Sequence, residues 1–197
     1  MSSPMLRFTS SALFAFHKTA LLVTWFATLL CGGDLWAQYE VSSWRDHFPY
    51  GAAEEVIVAN GEVVARTPNA LFSVDTATYE VSRFVKGQGL SQSNPSALGY
   101  DAIRDQWVVA YDDGGIDLRS SWGVTNIPDL RIAQVVGSKR IQAVTIEGDD
   151  AYLSSAVGVI VLDLEKQEIA DTWSLTPADV PVDARCVMAF EGQWLVG

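Results

Sequence analysis

Few side chains in this sequence have both the type and the spacing that do chemistry. Gly148-Asp149-Asp150 carries the letters of a polymerase metal site, where adjacent carboxylates hold divalent cations. "YDDGGID", Tyr111 to Asp117, has the acidic density of a calcium loop but lacks the D-x-D-x-D-G order and the distal bidentate Glu. "GQGLSQS", Gly87 to Ser93, contains glycines like a phosphate loop, yet has neither the Lys-Ser/Thr pair nor a following helix. The only histidines are His17 and His47, and the only cysteines Cys31 and Cys186, so a Cys/His dyad or a His-rich zinc site has almost nothing to draw on. Cys186 lies in the apolar run "RCVMAF" and reads as a buried structural thiol. No paired carboxylates stand out from the acidic background, and no catalytic residue, metal or cofactor is expected.

The elements that carry these letters repeat. Turns are expected at Gly61, Asp105, Gly148 and Gly192, separated by 44, 43 and 44 residues. A short apolar strand precedes each turn, and a β-branched or aromatic strand follows it: "EVVAR", "QWVVAY", "AYLSS", "QWLVG". Second turns come at Asn69-Ala70, Gly114-Gly115 and Val157-Gly158. Third strands follow as "LFSVD", "IDL" and "VIVLDL", and last strands as "EVSRF" and "EIADTW". Four short strands in about 44 residues is the period of a β-propeller blade. The fold class is therefore all-β, a propeller of four-stranded blades with no useful helix after residue 38. Gly148-Asp149-Asp150 then takes the place of Asn60-Gly61-Glu62 and Glu191-Gly192-Gln193, and reads as a hairpin turn. Trp107, Trp173 and Trp194 fall in strands and are expected to pack, whereas Trp44 and Trp122 lie outside them and are expected to be exposed.

The 197 residues are 49% apolar and carry a net charge of −11, which argues against nucleic acid, since phosphate neutralisation needs clustered Lys and Arg. Arg7 and Lys18 precede the apolar run "TALLVTWFATLLC", Thr19 to Cys31. Its 13 residues suit a signal peptide and fall short of the ~20 that span a bilayer. Residues 1–37 are expected to be a signal peptide cleaved after Ala37, although Leu35 is larger than the usual small residue there. The following 160 residues hold 11 Lys and Arg against 23 Asp and Glu, so the exported chain is acidic. Residues 38–197 amount to about three and a half blades, expected to be the N-terminal part of an unclosed ring. Arg131, Lys139 and Arg140, around "NIPDLRIAQVVGSKR", form the one basic cluster, read either as a solvated loop or as a binding patch.

"GLSQSNPSALGYDAIRDQWVVAYDDGGIDL", "TNIPDL" and "VGSKRIQAVTIEGDDAYLSSAVGVIVLDLEKQEIADTW" resemble the PorZ-type N-terminal β-propellers of the Bacteroidetes type IX secretion system. The likeness runs from about Ser43 to Gly197, and its specific parts are "NIPD", "GSK.I" and "AYLS...G..VLDL...EI.DT". The resemblance implies a non-catalytic accessory protein at the outer surface, in a complex that helps a sortase release cargo signals and anchor cargo on anionic lipopolysaccharide. It also implies a longer protein with a second propeller and a C-terminal β-sandwich, and it transfers no site residue. Two other classes share the blade pattern: the sensor ectodomain of a hybrid two-component receptor, and a propeller enzyme acting on polysaccharide. The enzyme class needs convergent acids with a His, Tyr or Arg, and His47 is the only histidine after residue 37.

Overall fold

The computed structural model describes residues 47–175 and 183–197. The expected signal peptide, its expected cleavage site and Trp44 lie outside the described residues. Four antiparallel sheets follow one another along the chain. The first runs β1 (Glu55–Ala59), β2 (Glu62–Arg66), β3 (Leu71–Asp75) and β4 (Val81–Lys86), with a two-residue strand, β5 (Gly89–Leu90), parallel to β4. The second is β6 (Pro95–Asp101), β7 (Gln106–Tyr111), β8 (Ile116–Ser120) and β9 (Gly123–Ile127). A connector with one helical turn, α1 (Asp129–Ile132), leads to the third. That sheet is β10 (Ile141–Glu147), β11 (Asp150–Ser155), β12 (Gly158–Asp163) and β13 (Glu168–Trp173). The hairpin β14 (Val187–Phe190) and β15 (Gln193–Val196) begins the next unit. Each sheet is ordered as in the sequence, and the first strands β1, β6, β10 and β14 lie beside one another in turn, as the inner strands of propeller blades do.

The first turn of each blade sits where the repeat places it. Asn60 and Gly61 both have positive φ (42° and 83°), as do Glu191 and Gly192 (48° and 75°), the backbone that suits a tight hairpin between right-twisted strands. The blades also repeat hydrogen bonds. Thr76 N–H donates to Gly61 O and Leu164 N–H to Asp149 O, both at 2.9 Å. Asp75 caps the next turn by accepting from Ala77 and Thr78 N–H, and Asp163 accepts from Glu165 and Lys166 N–H in the same way.

The core lies between sheets, so central strands are covered on both faces and read as continuous apolar runs. Every residue of β7 is buried. Alternation splits them between two neighbours: Val108 and Ala110 join the cluster shared with the third sheet, while Trp107 and Val109 join the one shared with the first. In β11, Leu153 faces back to the second sheet, and Tyr152 packs forward with Val187 and against Trp173 and Trp194. Trp173 and Trp194 are half-buried in that cluster, and Trp122, in the β8–β9 turn, is 96% exposed. Cys186 corrects the sequence reading: its thiol is exposed. The β14–β15 hairpin is covered on one face only, by the cluster around Val187. Cys186 shares the parity of Met188 and Phe190, which face outward. No helix among the described residues is long and apolar enough to cross a membrane.

Candidate functional site

The acidic motifs are held in place by the fold. Asp149 forms an ion pair with Arg104 at 2.6 Å, joining the third blade's first turn to the second's. Asn60 Nδ2 donates to Asp105 at 3.0 Å and joins the second turn to the first, so the same latch recurs from blade to blade, its two partners 45 residues apart each time. In "YDDGGID", Asp117 is fully buried and accepts hydrogen bonds from Tyr111 Oη (2.5 Å), Ser91 N–H (2.8 Å) and Asn126 Nδ2 (2.7 Å). Burial, reinforced by that carboxylate, drives the Tyr111 hydroxyl far above its ordinary value, so it stays a donor. Asp112 pairs with Arg140 at 2.7 Å. No group of three or more His, Cys, Asp or Glu among the described residues is placed to hold a metal ion.

The predicted basic residues Arg131, Lys139 and Arg140 are brought together on the connector between the second and third blades. Leu130 anchors α1 in the core, and Gly114 of the β7–β8 turn packs so tightly there that a Cβ would stand 3.0 Å from both Leu130 and Lys139. Lys139 Nζ donates to the Arg131 carbonyl at 2.6 Å. Arg140 is neutralised by Asp112, so the open positive charge is carried by Arg131 and Lys139. Sequence reasoning missed the apolar surroundings of this patch. Ile132 and Val136 are 65% and 98% exposed, and a groove of about 400 Å³ runs from Leu130 and Val135 to Val157 and Ile169 of the third blade. The signal was the apolar run "LRIAQVV" in a segment with no strand pattern.

A second feature, also missed, is a cleft of about 240 Å³ between the first and second blades, bordered by Asn60, Glu62, Asp105, Trp107, Arg119 and Ser121. The Arg119 guanidinium lies 4.0 Å from the Phe84 ring centre and 4.7 Å from that of Trp107. Burial pulls its pKa down, partly offset by the charge of Glu62. Its Nε is buried without a hydrogen-bond acceptor among the described residues.

The family model of the type IX secretion-system PorZ N-terminal β-propeller domain matches residues 63–191. Among solved structures the chain is similar to PorZ of Porphyromonas gingivalis, described as an essential bacterial surface component of the type-IX secretion system. The two are 29% identical with a TM-score of 0.59, over 62% of this chain and 17% of PorZ. The chain thus spans under a fifth of that protein's length. AztD from Citrobacter koseri (14% identity, TM-score 0.48, 65% of this chain and 36% of AztD) also matches. So does Sqt1 of Saccharomyces cerevisiae (12%, 0.47, 68% and 37%). No curated protein matches. With three blades in register and the family's own pattern running from β2 to the β14–β15 turn, the chain belongs to the PorZ N-terminal β-propeller domain family of the type IX secretion system.

Proposed function

We propose that this chain is a non-catalytic docking module of the type IX secretion machinery, exported through its N-terminal segment and working at the cell surface. The observation that carries the reading is the family match over residues 63–191. Its partners in this reading are proteins of the sortase attachment complex, with anionic lipopolysaccharide as a second ligand. The connector face suits such docking, because a largely apolar groove, with Asp129 and Glu168 also in its lining, offers contact area next to the two cations Arg131 and Lys139 that the connector carries. An anionic polymer would be repelled by most of the remaining surface, so the reading requires its binding to be local and salt-sensitive.

The test is charge reversal at Lys139→Glu with Arg140→Glu in the full-length protein, followed by partner capture, lipopolysaccharide binding and cargo secretion. Arg140 and Asp112 are both about half exposed, so losing their ion pair costs at most about 1 kcal/mol and leaves the fold intact. Weakened binding is expected. Unchanged binding and secretion reject the patch, and turnover of a polysaccharide or peptide by the purified protein rejects the non-catalytic reading.

A further inference from the structure

Arg119 departs from the repeat. The register pairs Glu62 with Asp75, Gln106 with Ser120 and Asp150 with Asp163, so Asp75, Ser120 and Asp163 are equivalent across the three blades. The residue before each is Val74, Arg119 and Leu162. Leu162 fills this position with a fully buried side chain in the cluster shared with the preceding blade, the role the repeat assigns to it. The second blade puts a guanidinium there, against Phe84 and Trp107 of the same inter-blade layer. A charge at an apolar packing position is costly unless it is paired.

Arg119 is not paired. Among the described residues no carboxylate lies within ion-pair distance of it, and no acceptor takes a hydrogen bond from it. The Glu62 side chain, on the same cleft, likewise has no hydrogen bond or ion pair among the described residues, although its charge is felt by Arg119. Asp105, by contrast, is already engaged by Asn60 and by Tyr100 Oη. One cleft therefore presents an unpaired cation and an unpaired anion that do not reach each other, with Trp107 and Ala59 as its apolar wall.

We propose that this cleft binds a small zwitterion, an α-amino acid, with its carboxylate on the Arg119 guanidinium and its ammonium on Glu62. A simple anion would satisfy Arg119 and be repelled by Glu62, and a simple cation the reverse; a ligand carrying both groups satisfies both. The volume, about 240 Å³, is below the range of drug-sized pockets and suits a single residue. The proposal stands on the cleft alone and does not depend on the secretion reading.

The experiment titrates the folded chain with L-leucine and follows the Trp107 indole and Arg119 Nε–H signals by NMR. Parallel titrations use L-leucinamide, which lacks the carboxylate, N-acetyl-L-leucine, which lacks the ammonium, and phosphoethanolamine, a zwitterion with a phosphate. A saturable shift with L-leucine is expected, weakened at least tenfold for either truncated analogue and by Glu62→Gln. Arg119→Gln is expected to abolish it; because that residue also packs on two rings, Glu62→Gln with unchanged near-UV circular dichroism is the deciding variant. No saturable shift with L-leucine, equal binding of the truncated analogues, unchanged binding by Glu62→Gln, or tighter binding of phosphoethanolamine would overturn the proposal.

Discussion

Gly158→Ala tests whether the blade is as tightly built as its register implies. Gly158 opens β12 with φ +117°, a conformation side chains rarely adopt, and a Cβ there would stand 2.1 Å from the Trp173 carbonyl oxygen. That oxygen belongs to backbone at the end of β13, where Val159 pairs with Trp173, so relief requires the two strands to part. Backbone strain of about 1–2 kcal/mol adds to overpacking of about 1–3 kcal/mol, giving a loss of about 2–5 kcal/mol. Against a domain stability of about 5–15 kcal/mol this is a large fraction. Gly148→Ala is the control: φ is +62° and nothing lies within 4 Å of the added carbon, so only the strain of about 1–2 kcal/mol applies. Urea unfolding of both variants beside the parent chain should therefore show Gly158→Ala as the more destabilised by roughly 1–3 kcal/mol. Equal midpoints would refute the claim that the carbonyl contact, rather than φ alone, demands glycine at 158.

Leu153→Ala, at a fully buried position between the second and third blades, should cost about 2–5 kcal/mol in the same assay. Tyr111→Phe removes one of three donors to buried Asp117 and should cost about 1.5–3 kcal/mol, with the β7–β8 turn showing the increase in amide exchange. The Asp75 and Asp163 carboxylates should titrate below their ordinary value of 3.8, Asp75 because of the Thr78 and Ala77 N–H groups and Asp163 chiefly because of Lys166. Their folded pKa values are depressed, so whatever stability they add is present above about pH 4 and is lost as pH falls through the folded values; carbon-detected NMR titration checks this. Exposed Val56 and Val58 on β1 and Met188, Phe190 and Leu195 on β14–β15 predict concentration-dependent association of the isolated chain in sedimentation, despite its negative charge.

Most of the blade architecture was legible because it rests on local chemistry. Gly61, Asp105, Gly148 and Gly192 announce the first turns through backbone preference, and strands such as "QWVVAY" announce double-sided burial through composition. Cys186 failed because an apolar neighbourhood in sequence says nothing about which face of a strand is covered, and only one face of β14 is. The basic patch was legible as a cluster in sequence, but its neutralisation was not. Asp112 reaches Arg140 from the preceding blade, and Lys139 spends a donor on the Arg131 carbonyl.

The inter-blade cleft was hidden for a related reason, and the repeat is also what exposes it. Glu62 and Arg119 are 57 positions apart, and no window of sequence puts them together. Once the register aligns the blades, however, most polar residues at this end are accounted for by the fold. Asn60, Asp105, Arg104 and Asp149 are spent on the latch from one first turn to the next, while Asp75 and Asp163 are spent on capping. A repeat uses the same interactions at equivalent positions because each blade faces the same packing problem. Arg119 departs from this, because where Leu162 fills the equivalent position with an apolar side chain it sets a charge against Phe84 and Trp107 with no acceptor for its Nε–H among the described residues, and that surplus points to something outside the chain. In a propeller of this kind the departures from the repeat therefore carry more functional information than its most conspicuous motif, Gly148-Asp149-Asp150, which the repeat explains in full.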